Sequence, residues 1–206
     1  LTPPVLIDPG TYVFYNSTMT HNHDTYRNLP EEYSTDLVAN AAVGFLDEAI
    51  AASDRPFFLG VAPTAPHSET ITDPRPAKFN PPVPAKRHEH LFQNVTIPRT
   101  PNFNPGKVSY PDLDVVSVIS HPYSSQERIY FKTLRPLNQS EIAYNDAWYR
   151  KRLQSLQSVD ELIDSIITRL SLTPAVLENT YLIYTTDNGF HISQHRLPPG
   201  KSCGIE

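Results

Sequence analysis

The sequence is poor in cysteine, in glycine and in charge of either sign to excess. Cys203 is its single cysteine in 206 residues, so no disulfide can close within the chain and a small cross-linked scaffold is excluded. Basic and acidic side chains number 17 and 22, for a net charge of −5, which leaves no basic surplus to displace counterions from a nucleic-acid backbone. A nucleic-acid partner is therefore not expected. No apolar run reaches the roughly 18 residues that a membrane span requires. Glycine, at 7, is about half its usual share. Proline departs the other way, with 21 residues, about twice the usual frequency. An apolar content of 39%, with 10% aromatic residues and a mean hydropathy of −0.39, is the composition of a folded globular chain.

The chain opens at Leu1 without a leader and closes on KSCGIE without a helix-ending or strand-ending signal, so a piece of a longer protein is expected. Sequons at Asn16, Asn94 and Asn138 are candidate glycosylation sites and favour a secreted or lysosomal protein.

Periodicity locates two helices. From Ser34, read as the N-cap, apolar residues fall at Leu37, Val38, Ala41, Ala42, Phe45, Leu46, Ala49 and Ile50, one stripe of a helix. A longer helix is predicted from Glu141 to Leu170, with Leu153, Leu156, Val159, Leu162, Ile163, Ile166, Ile167 and Leu170 on one face. TYVFYN, Thr11 to Asn16, reads as β-like. PFFLGVAP predicts a buried strand from Phe57 to Ala62, and TYLIYTT, β-branched and aromatic, predicts another from Thr180 to Thr186. Residues 73–140 hold most of the prolines and no lasting period, which predicts an ordered, coil-rich excursion. Helices alternating with strands that are apolar on both faces indicate an α/β fold with a mixed, mostly parallel sheet flanked by helices.

In open α/β sheets, ligands collect at the carboxyl ends of strands. Both predicted strands end in polar sets, PTAPHSE and DNGFHISQHRLPPGK. Asp187 and Asn188 offer adjacent hard oxygens of the kind Ca²⁺ or Mg²⁺ accepts, although Asp-Asn-Gly is also an ordinary turn tripeptide. His191 and His195 follow in the same loop, as pocket lining or as solvated side chains. His21 and His23 form an H-x-H pair with no evident third ligand, which favours a surface loop over a zinc site. Lys86 to Phe92 reads as a solvated face, Arg150 and Arg152 as a helix start or as steering charges for an anion, and Cys203 as a semi-buried free thiol.

The segments YTTDNGFHISQHRLPPGK and PFFLGVAPTAPHSE together resemble the metal and substrate segments of the type I sulfatases. YSTDLVANAAVGFLDEAI, FQNVTIPRTPNFN and YRKRLQSLQSVDELIDSIITRL resemble the arylsulfatases and glucosamine-6-sulfatases in the same order, so nearly the whole chain is covered. The resemblance implies an alkaline-phosphatase-like fold, of which residues 1–206 would form part of one catalytic domain. It implies a Ca²⁺ held partly by Asp187 and Asn188, with His67 and Lys201 contacting the sulfate. His191 lies in the same motif region and could join them in binding substrate. The nucleophile that the resemblance implies is formylglycine, made from the Cys or Ser of a C/S-x-P-S-R segment. No such segment and no early acidic metal pair occur here, and Cys203-Gly-Ile-Glu does not match it. The expectation is a fragment of an arylsulfatase-type enzyme that lacks its nucleophile segment and a C-terminal subdomain. Alone it would be inactive, its partners being a small-molecule or sugar sulfate ester and the remainder of the same enzyme.

Three other readings remain open at this stage. One is a glucosamine-6-sulfatase acting on sulfated glycans. Another is a metal-dependent phosphodiesterase of the same superfold, for which Asp187 and His191 have the D-x-x-x-H spacing. The third is a non-catalytic secreted glycoprotein that binds an anionic glycan.

Overall fold

The computed structural model describes residues 3–7, 10–22, 24–27, 29–52, 55–72, 75–106 and 133–201. His23, Cys203 and residues 107–132 of the proline-rich excursion lie outside them. The chain forms two compact units, one of residues 1–93 and 150–182, the other of residues 94–149 and 183–206.

In the first unit, β1 (Val5–Leu6), β2 (Thr18–His21) and β3 (Asp24–Arg27) form an antiparallel sheet in the order β1-β2-β3. The β2–β3 hairpin turns at Asn22, whose φ of 58° lies in the left-handed region that asparagine tolerates. The strands thus flank TYVFYN rather than include it. Its aromatic residues pack instead: Phe14 is fully buried and joins Tyr33, Ala65, Ala85 and Val159 in the core.

Helix α1 (Ser34–Ala51) buries Ala42, Phe45, Leu46 and Ala49, four positions of the expected stripe. Its N-cap is Tyr33, with extended φ/ψ and no side-chain cap, and Ser34 is already helical. The Tyr33 hydroxyl is spent elsewhere, donating to the Val83 carbonyl at 2.8 Å, and burial pushes it above the ordinary phenol range. That bond falls inside the proline-rich stretch, where Pro82 and Pro84 are fully buried. The described part of the excursion is accordingly not all coil, since β5 (Lys78–Asn80) pairs antiparallel with β4 (Glu69–Ile71).

A 3-10 turn follows at Lys86–His88. The expected solvated face is only half so. Arg87 is exposed and grips Asp36 of α1 at 2.6 Å and Glu161 at 2.5 Å, whereas His88 is buried with Nε2 3.1 Å from the Glu161 carboxylate. Arg87, with His88, holds the Glu161 carboxyl below its ordinary value.

Helix α2 (Gln139–Ser171) runs close to the predicted bounds. A reciprocal capping box starts it. Asn138 Oδ1 accepts from the Glu141 N–H at 3.0 Å, while Glu141 Oε2 accepts from the Asn138 N–H at 2.8 Å. Arg135 pairs with the same carboxylate, and its hydrogen bond holds Glu141 down to about 2. Val159, Leu162 and Leu170 of the expected stripe are buried. A short α3 (Pro174–Leu177) closes the helical part, with proline in its first turn.

The two apolar segments expected as sheet strands form no ladder among the described residues. Phe58 is 92% exposed, and Tyr181, Ile183 and Tyr184 are 93%, 85% and 78% exposed. Their β propensity has no neighbouring strand to act on, since an extended segment is stabilised only by pairing and by cover on its faces.

The second unit has its own small core of Ile97, Trp148 and Ile192, with Phe103, Tyr149 and Phe190 against it. Arg99 stacks over the Phe103 ring at 4.1 Å and clamps Asp146 with its two terminal guanidinium nitrogens, at 3.0 and 2.6 Å.

Candidate active site

The loop that follows Asp187 is held in a conformation that costs energy. Ser193, His195 and Arg196 all have positive φ, at 71°, 52° and 69°. Each such residue costs on the order of 1 kcal/mol, and such strain persists only where neighbours over-determine it. Here they do. Ser193 is fully buried, donates its N–H to Leu197 O at 2.8 Å, and its Oγ accepts from Asn145 Nδ2 at 2.8 Å. His195 N–H donates to Asn102 O at 2.8 Å. The Arg196 guanidinium reaches three carbonyls, of Pro105, Leu134 and Gly106, at 3.0, 2.6 and 2.8 Å.

The base of the loop is pinned by His191 and Gly200, which exchange two backbone hydrogen bonds at 2.9 and 3.0 Å. The His191 ring is 7% exposed, and its Nδ1 donates to Pro198 O at 2.6 Å. This ring, the one named as a candidate for the substrate pocket, ties the two arms of the loop that carries Lys201. Since a carbonyl can only accept, Nδ1 bears the proton.

That closure brings Lys201 to Asn188. The ammonium donates to Asn188 Oδ1 at 3.0 Å, and Asn188 Nδ2 turns to the neighbouring Gly189 carbonyl. Asp187 is exposed beside it. Two hard oxygen donors suit Ca²⁺ in type, while the ion takes roughly six or more. Among the described residues no three His, Cys, Asp or Glu side chains gather as a metal site. The donor chemistry of Asp187 and Asn188 therefore fits part of a calcium shell.

His67 belongs to the first unit. Its N–H donates to Thr64 O at 2.8 Å, and its ring Nδ1 donates to Ser68 O at 2.8 Å. Tyr12 stacks on the ring with centroids 4.3 Å apart. Arg152, mid-helix rather than at a helix start, donates to the carbonyl of Pro66 at 3.0 Å. Of the sequons, Asn94 and Asn138 are exposed, whereas Asn16 is half-buried with φ 55°.

Several of these residues carried no signal in the sequence. Tyr12 is far from His67 along the chain, and Ser193 and Arg196 look like ordinary loop residues. Asn145 and Asp146 left a faint trace, as polar residues that interrupt the apolar face early in α2.

Comparison with known proteins gives a consistent set of matches. The Sulfatase family model matches residues 8–204. A protein described as sulfatase ppz1 from Metarhizium majus is 51% identical over 98% of this chain and 43% of its own length. An arylsulfatase of Volvox carteri is 36% identical over 95% of the chain and 29% of its own length. A human N-acetylglucosamine-6-sulfatase is 34% identical over 91% of the chain and 29% of its own length. The chain thus spans less than half of each of these relatives. No solved structure matches it.

Proposed function

The chain belongs to the sulfatase family, and from that membership we propose that its residues serve the hydrolysis of sulfate monoesters, with aryl sulfates as substrates. The family has the alkaline-phosphatase-like fold, a mixed sheet between helices, and the described helices and antiparallel strands are a part of it. The observation that carries the proposal is the Lys201–Asn188 pair beside Asp187, an ammonium and two oxygen donors on a loop strained into place.

Sulfate-ester cleavage spreads negative charge over the sulfuryl oxygens and builds it on the departing oxygen. Lys201 would hold a sulfuryl oxygen by a charge-assisted hydrogen bond, and the stapled loop spares it reorganisation during the reaction. His67 would give its proton, from Nε2, to the departing oxygen, a step suited to imidazole near neutral pH. Asp187 and Asn188 would supply two ligands of a Ca²⁺, which when bound neutralises charge on the sulfate. The nucleophile, assigned by resemblance to a formylglycine, would come from residues outside this chain. His191 would act on substrate only indirectly, by keeping the Lys201 loop shut.

The phosphodiesterase reading is disfavoured by the Sulfatase family model, which matches residues 8–204. The similarity to the human enzyme supports a sugar 6-sulfate as a second substrate class. The glycosylation sites proposed are Asn94 and Asn138, with Asn16 less open, and a secreted or lysosomal location goes with them.

The test is turnover of 4-nitrophenyl sulfate and of N-acetylglucosamine 6-sulfate by the intact protein, with and without a calcium chelator. Chelator-sensitive release of nitrophenol supports the proposal. Failure of the intact protein to hydrolyse either ester overturns it, and turnover by the isolated 206-residue chain overturns its dependence on a nucleophile from elsewhere.

A further inference from the structure

The imidazole of His67 is restrained on three sides by atoms of its own unit. Its backbone N–H is fixed to Thr64 O, its Nδ1 to Ser68 O, and one face lies on the Tyr12 ring at 4.3 Å with 30° between the planes. Tyr12 is itself anchored to both arms of the same loop. Its carbonyl accepts from the Thr70 N–H at 3.0 Å, and the preceding carbonyl, of Thr11, accepts from Thr64 Oγ1 at 2.8 Å. The tyrosine hydroxyl has no part in this, and the side chain is 41% exposed, so its planar face rather than its polar tip is what the loop uses.

We infer that Tyr12 is a positioning residue for His67, its ring fixing the imidazole plane so that the proton passes at Nε2 from one orientation. The inference rests on the reading of His67 as proton donor to the departing oxygen. Two physical effects act together. Stacking removes the ring-flip freedom that a lone hydrogen bond at Nδ1 leaves, and the electron-rich face of the phenol favours the ring while it carries positive charge. Misplacement of a proton donor by a fraction of a bond length lowers only steps that need the proton.

The experiment compares kcat of the intact protein for 4-nitrophenyl sulfate, whose leaving group departs without help, and phenyl sulfate, whose leaving group needs protonation. Tyr12→Leu is expected to lower kcat for phenyl sulfate about fivefold, with KM little changed, and to spare 4-nitrophenyl sulfate. Tyr12→Phe restores the wild-type ratio, and Tyr12→Met repeats the leucine result with a side chain of different shape. In a His67→Ala background, Tyr12→Leu adds nothing further. Equal slowing of both esters, or a phenylalanine variant as slow as the leucine one, overturns the inference. If His67→Ala shows no preference between the esters, the proton-donor reading falls and the inference with it. If His67→Ala discriminates and Tyr12→Leu does not, the inference alone falls.

Discussion

The Lys201 ammonium lies 3.0 Å from the Asn188 carboxamide oxygen, and the bond spans a loop closed at its neck by His191 and Gly200. A side chain with four rotatable bonds would otherwise sweep a large volume. Lys201→Met keeps the length and removes the charge, so the intact protein is expected to lose roughly 10²-fold in kcat for sulfate esters. Lys201→Arg should retain part of it. Steady-state kinetics of both variants decide the matter, and an unchanged methionine variant would remove Lys201 from the site.

Asp187→Asn leaves an oxygen donor in place but removes its charge. Calcium affinity of the intact protein is expected to fall about tenfold or more, because ligand charge sets affinity in oxygen-donor sites. Titration calorimetry measures this directly, apart from any activity. Affinity equal to the wild type would show that Asp187 is a turn residue and nothing else.

At Gly200 a methyl group would stand 3.0 Å from Cε1 and 3.4 Å from Nε2 of His191. Gly200→Ala is expected to destabilise the second unit by about 1–2 kcal/mol through overpacking. Adding His191→Ala opens the space, so the double variant should be more stable than the sum of the singles predicts. Thermal melts of the three variants test this, and strict additivity would show that the two residues do not meet.

Glu141 makes the start of α2 acid-sensitive. Its folded value, about 2, lies below the ordinary 4.5, so the stabilisation is complete above the ordinary value and is lost as pH falls towards 2. The protection of first-turn amides of α2, taken relative to their intrinsic exchange rate at each pH, should therefore fall between about pH 4.5 and 2, and Glu141→Gln should flatten that dependence.

The bare apolar segment at Tyr181–Tyr184 predicts self-association of the isolated chain. Ile183→Lys is expected to lower the association seen by light scattering without altering the helical circular-dichroism signal. An isolated wild-type chain that stays monomeric at high concentration would contradict this.

The helices were legible because their signal is local. The stripe from Leu37 to Ile50 and the one from Leu153 to Leu170 each need only the spacing of their own residues; the first buries Ala42, Phe45, Leu46 and Ala49, the second Val159, Leu162 and Leu170, while Ile167 is exposed. The strands were not, for the opposite reason. TYLIYTT has the composition of a strand, but pairing depends on a partner elsewhere, and among the described residues it has none. The residue types of Asp187, Asn188 and Lys201 in the second unit, and of His67 in the first, could be read directly as candidates. Their supports, Ser193 under Asn145 and Tyr12 over His67, are distant in sequence and have no spacing rule to reveal them. His191 was legible as a motif residue, but its hydrogen bond to Pro198 was not, since nothing in a sequence says which way a loop histidine turns.

The carboxamide of Asn138 divides its duties between its two ends. The oxygen already launches a long rod of backbone, while the nitrogen is the atom a saccharide would join. Sugar attached there would ride on a stiff post instead of a floppy tether. Enzymatic removal of that sugar, which leaves aspartate behind, would swap one good helix starter for another, so stripping the carbohydrate should cost the rod nothing at its origin.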